Sequence, residues 1–183
     1  MNTITSKSTG KATTTNKIMI DLYTSGSCSA YANSAGGYGA VLKYGQHIKH
    51  LRGGDNSTTN NRMELQALIQ ALTTIKKPCT LKVHTASTYV AQGYRSLPAW
   101  KAMGWHTKNG AEPKNLELWL QLMKLAEKKG IDLVFESVGK TDRPEEYELA
   151  VDLAHVSMVE RDQKVTEARI RARGGDYKAV FGN

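Results

Sequence analysis

Three strand-like stretches follow one another before any helical period begins, and this order constrains the fold more than any single motif does. The run IMIDLYT at 18–24 is apolar and suits a buried strand, and LYTSGSC reads as the end of that strand running into a tight turn. Gly36, Gly37 and Gly39 predict a turn into a second strand over 38–44, and Gly45 a further turn into a third strand around 47–53. Only then does the apolar period change: in RMELQALIQALTTI, Met63, Leu65, Leu68, Ile69 and Leu72 recur at helical spacing, and Pro78 ends the element. TLKVHTAS is a short strand, and TYVAQGYRS a brief helix broken near Gly93 and Pro98. PKNLELWLQLMKLAEKKG is a helix with Leu116, Trp119, Leu120 and Met123 on one face and Gly130 as its stop. IDLVFESV is a strand, and a helix in one piece or two runs from Glu145 to about Arg173. The order β-β-β-α-β-α-α-β-α combines an antiparallel start with later crossovers. It predicts an α/β fold in which a mixed sheet is flanked by helices.

The chain of 183 residues is long enough for one well-buried domain and carries a net charge of +8. That excess is spread: residues 1–17 and 18–154 each carry +3, and residues 155–183 carry +2. A basic chain is drawn to polyanions by pairing and counterion release, although solubility alone also accounts for such a charge. Cys28 and Cys79 match no metal-ligand spacing, and no apolar run resembles a signal peptide or a membrane span. The expectation is a cytoplasmic protein with a disordered basic tail over 1–17, a domain over 18–154, and a helical extension and tail over 155–183.

Several local motifs resemble type 1 ribonuclease H, which cuts the RNA strand of RNA–DNA hybrids. They are YTSGSC, GGYGAVL, TTNNRMEL, TASTYV, the double-tryptophan segment WKAMGWHT…PKNLELW, and ELAVDLA. The likeness covers roughly 18–154 and implies the RNase H-like mixed sheet. It also implies a site in which four carboxylates hold two Mg²⁺ ions. Carried over by position, the four fall on Ser25, Glu64, Ala86 and Val151, so only Glu64 keeps its carboxylate. Asp152 is an alternative for the fourth, at the cost of a second inserted residue and a turn of about 100° around the helix. The family's mobile histidine corresponds to Lys140.

Two divalent cations about 4 Å apart repel by roughly 17 kcal/mol at an effective dielectric of about 20, and one glutamate does not offset that. From this count the chain is expected to lack two-metal ribonuclease activity, to be a pseudoenzyme, and to need no metal cofactor. Substrate-handling positions remain. The resemblance assigns Thr59 to a DNA-strand phosphate, Asn60 and Asn61 to base edges in the minor groove, and Thr88 to a further contact. Trp100, Lys101, Lys108 and Lys114 fall in the family's basic protrusion, where aromatic faces and cations suit a nucleic-acid backbone. Each has a plainer role too: an Asn pair suits a helix start, and tryptophans pack helices. The leading expectation is therefore an RNase H-like protein that binds RNA–DNA hybrid or double-stranded RNA without cutting it. Two other readings stay open: a scaffold for a protein partner, and an active or weakly active ribonuclease H.

Overall fold

A computed structural model describes residues 17–29 and 34–173. The expectations for the two tails, residues 1–16 and 174–183, and for part of the turn after Cys28 lie outside them. The element order is as the sequence predicts: β1 (Ile18–Cys28), β2 (Ser34–Tyr44), β3 (His47–Thr58), α1 (Asn60–Thr74), β4 (Cys79–Thr85), α2 (Thr88–Ala102), α3 (Leu116–Lys129), β5 (Ile131–Ser137) and α4 (Glu145–Ala172). The five strands form one sheet in the order β3-β2-β1-β4-β5. β1–β2 and β2–β3 are antiparallel, while β1–β4 and β4–β5 are parallel across helical crossovers.

Side chains alternate across the sheet and divide the core in two. Leu22, Ala40, Leu42, Leu81 and Val83 point to the face covered by α1 and α3, where Leu65, Leu68, Leu72, Trp119 and Leu122 complete a large apolar cluster. Tyr23 and Val41 point to the other face and pack with Tyr147 and Ala150 of α4.

Gly36, Gly37 and Gly39 are not turn residues: they lie inside β2, paired with Cys28, Ser27 and Ser25 of β1. α4 explains two of them. A Cβ on Gly37 would stand 2.3 Å from the Ala154 carbonyl, and one on Gly39 would stand 2.1 Å from that of Ala150, so helix backbone lies almost directly on strand backbone. β3 extends to Thr58 despite its polar end, because ladder hydrogen bonds are backbone bonds and this edge faces solvent.

α2 is not broken at Gly93 or Pro98. Gly93 makes room for the Trp119 indole, and a Cβ there would lie 2.4 Å from the ring; Pro98 sits exposed in the final third of the helix. On α3 the buried face is Leu118, Trp119, Leu122 and Ala126, rotated from the expected one and leaving Leu120 exposed. Gly130 ends it in the left-handed conformation at φ 64°, as expected. α4 is a single helix of 28 residues and runs across the expected boundary at 154/155.

Candidate active site and nucleic-acid interface

β1 does not turn within the LYTSGSC stretch but runs on to Cys28. Ser25–Cys28 continue the antiparallel ladder with β2, which holds Ser25 in the sheet and leaves it only 7% exposed. Gly26 follows, and its missing side chain lets α1 close on the strand: a Cβ there would lie 2.7 Å from the Glu64 nitrogen and 2.9 Å from the Asn60 carbonyl. Glu64 is thereby pressed against the strand end at 7% exposure. The Gly26 N–H donates to its carboxyl group, while Oε2 has no partner. Burial pushes the Glu64 pKa up to about 7, and the Gly26 donor only partly opposes it.

Ala86 is exposed just past the end of β4. Tyr147, in the first turn of α4, joins these positions, a role no sequence motif indicated. It is buried; desolvation and then the nearby Glu64 charge raise its pKa, while Arg143 and the Ala86 backbone N–H act the other way. Its place one helical turn before Val151 was the available signal. Val151 is half-buried against the Tyr23–Val41–Tyr147–Ala150 cluster, whereas Asp152 is exposed on another side of the helix. Lys140 is exposed in the loop between β5 and α4.

At these four positions the donor set for a pair of Mg²⁺ ions is small. It comprises one buried carboxyl group with an unpartnered oxygen, one neutral hydroxyl, and two hydrocarbon side chains with no ligand atom. This set does not fit a four-carboxylate, two-metal arrangement, and no group of three or more His, Cys, Asp or Glu among the described residues could hold a metal.

The surface beside Glu64 is built around the start of α1. Thr59 is the N-cap, its Oγ1 accepting the Arg62 N–H at 3.4 Å; Asn60 is exposed and Asn61 half-buried at the first helical positions. The Arg62 guanidinium donates to Asn115 Oδ1 at 3.2 Å and pairs with Glu117, tying this helix start to α3. The Tyr89 hydroxyl gathers the next segment, accepting from Asn115 Nδ2 and Trp119 Nε1 and donating to the Lys114 carbonyl at 2.8 Å. Thr88 is exposed at the start of α2, and Lys101, Lys108 and Lys114 are exposed. Trp100 is half-buried and meets Trp119 edge to face, with centroids 6.1 Å apart. Among the described residues no helix is long and apolar enough to cross a membrane.

The sequence model of the family described as RNase H matches residues 16–153. A protein of Agrobacterium fabrum named Ribonuclease H is 41% identical over 140 residues, covering 76% of this chain and 94% of that protein. Proteins with the same name from Bradyrhizobium diazoefficiens and Thiobacillus denitrificans are 47% and 45% identical, covering 57% and 62% of this chain and 68% and 76% of their own lengths. The crystal structure of LC9-RNase H1, a type 1 RNase H with the type 2 active-site motif, superposes with TM-score 0.69 at 23% identity, covering 79% of this chain and 74% of that one. A foamy viral protease-reverse transcriptase in complex with RNA/DNA hybrid gives TM-score 0.64 at 21% identity, covering 87% of this chain and 22% of that one. The two structures share the fold.

These relatives overturn two expectations, that the chain is not an enzyme and that it needs no metal: they are named as ribonucleases, and enzymes of that class use Mg²⁺. The count of carboxylates went too far because Mg²⁺ keeps several waters and takes substrate phosphates among its ligands, with one or two carboxylates from the protein.

Proposed function

Because this chain belongs to the ribonuclease H family, we propose that it binds RNA–DNA hybrids and cuts their RNA strand weakly, with Glu64 as the central acid of the site. One observation carries this reading. Near-full-length likeness to a protein named Ribonuclease H coincides with an unaltered TTNNRMEL segment, which displays Thr59, Asn60 and Asn61 beside Glu64. Thr59 and the first N–H groups of α1 suit a backbone phosphate, since a helix N-terminus attracts anions. The Asn amides offer both donors and acceptors to base edges in a shallow minor groove. Lys101, Lys108 and Lys114 add cations along the path of the second strand.

Within the pocket the chain's own residues supply a carboxyl group that titrates at about 7 and a neutral hydroxyl on Ser25. A group with that pKa takes or gives a proton near neutral pH. Loss of three ligand positions lowers the expected rate far below that of four-carboxylate relatives while leaving substrate recognition in place.

The test is cleavage of an end-labelled RNA–DNA hybrid with Mg²⁺ or Mn²⁺, alongside binding of the same hybrid without metal. Metal-free binding and slow cleavage are expected, with cleavage lost in Glu64→Gln and unchanged in Asp152→Asn. Cleavage that survives Glu64→Gln, or absence of binding at low salt, sinks the reading.

A further inference from the structure

The likeness to the family stops at residue 153, but α4 runs on without a break to Ala172. Contacts at the end of the sheet that carries Glu64 set its course. Tyr147 packs in one cluster with Tyr23. The Ala150 carbonyl lies over Gly39, the partner of Ser25, and the Ala154 carbonyl and Ser157 lie over Gly37, the partner of Ser27. The Ser27 hydroxyl then donates to Met158 Sδ at 3.4 Å. Each turn of α4 is thus a step along β1 toward Cys28. A Cβ on Gly54 of β3 would meet Arg161 Cγ at 3.2 Å, and Arg52 of β3 pairs with Glu160 at 2.9 Å. Past these anchors the helix continues for about 18 Å, from Asp162 to Arg173.

Residues 161–173 set Arg161, Lys164, Arg169, Arg171 and Arg173 against Asp162 and Glu167, and their last six residues, ARIRAR, contain no acid. Lys164, Arg169, Arg171 and Arg173 are exposed and make no ion pair among the described residues. A helix C-terminus favours a cation, and solubility favours charge of any kind. Neither accounts for Arg169 and Arg173 four residues apart, where like charges repel. Neither selects arginine three times, the side chain whose fork of N–H donors matches a phosphate. Val165 and Ile170 are the only large apolar side chains past Arg161. They stand about 140° apart around the axis and form no stripe that would suit a membrane surface or an apolar groove on another protein.

We propose that this end of α4 is a basic arm that holds backbone phosphates of a nucleic-acid duplex beyond the stretch facing Thr59, Asn60 and Lys101. Its ligand is the RNA–DNA hybrid proposed above, and the assignment rests on that reading. The contact is an addition to it, since the arginines lie outside the segment shared with the family. At about 3.4 Å per base pair the arm lengthens the duplex held by roughly five base pairs.

The test uses the full chain and fluorescein-labelled hybrids of two lengths, about ten and about 24 base pairs, followed by anisotropy. Alanine at Arg169, Arg171 and Arg173 together is expected to weaken binding of the long hybrid at least tenfold. It should also flatten the slope of log affinity against log salt by about 2.7, at 0.9 per phosphate. Affinity for the short hybrid stays within twofold, the thermal midpoint is unchanged, and lysine at the three positions restores the slope. The proposal fails if the long hybrid binds the alanine variant as tightly as the parent, or if both lengths lose affinity equally. A change in the sedimentation of the free variant makes the arm a subunit contact and overturns it too. If the parent binds neither hybrid at low salt, the reading of the Glu64 site fails and this one with it; loss confined to the long hybrid leaves that reading intact.

Discussion

At Glu64 the chain keeps a titratable group where charge is most costly, 7% exposed and with one oxygen lacking a partner. Its folded pKa, about 7, stands above the ordinary 4.5, so between those values the folded chain holds a proton that the unfolded chain releases. Stability therefore falls as pH rises through that window, by about 3 kcal/mol once both limits are passed. Glu64→Gln, which carries no charge, is expected to be more stable than the parent at pH 8 by up to about that amount, and no more stable at pH 4. Urea unfolding at the two pH values measures it, and an equal shift at both contradicts the assignment. A second residue-scale outcome concerns the α1 start. Thr59→Ala removes the N-cap acceptor and costs about 1 kcal/mol, whereas Asn60→Ala with Asn61→Ala weakens hybrid binding at an unchanged thermal midpoint. If the Asn pair serves only the helix start, stability drops and binding holds.

Among the elements, β2 shows how a strand is specified by what lies on it. SAGGYGA is poor strand sequence by propensity, since glycine loses entropy and offers no side chain to pack. Contact with α4 overrides that cost, because only a strand without side chains at Gly37 and Gly39 lets helix backbone approach this closely. Gly39→Ala is therefore expected to destabilise by roughly 3 kcal/mol, by overpacking against backbone that cannot rotate away. Ala at Gly45, which has open space around it, meets no such contact, although its φ of 56° adds some strain. Denaturant midpoints of the two variants separate packing from turn conformation. The same logic accounts for α2, where Gly93 reads as a helix breaker until the Trp119 indole is placed against it. Periodicity alone also misjudged the buried side of α3: Leu120 obeys the spacing but faces solvent, and Leu118 is the residue that reaches the core.

For the whole molecule, the surface proposed for hybrid binding and an apolar groove lined by Ile18, Ile48, Ile75, Lys76 and Lys77 lie toward opposite ends of one sheet, and basic residues stand at both. Lys101, Lys108 and Lys114 should together contribute about −2.7 to the slope of log affinity against log salt, at −0.9 per phosphate neutralised. Replacing all three by alanine should flatten the salt dependence by about that much, while Lys76→Glu with Lys77→Glu leaves the slope for hybrid unchanged. A titration between 50 and 200 mM salt reads both.

The sequence by itself determined the element order, the antiparallel-then-parallel sheet, the α1 helix and the family, because periodicity, turn residues and linear motifs are local properties. Through the family resemblance it also singled out Ser25, Ala86 and Val151 as positions where carboxylates are expected. Their consequence was not local. That Glu64 is buried with one carboxyl oxygen unpartnered, that Tyr147 lies within reach of its charge, that Asp152 is exposed, and that Ile18, Ile48 and Ile75 share a lysine-rimmed groove were all decided by tertiary packing. Residues tens of positions apart had to meet before their burial, and with it their charge state and exposure, acquired a value.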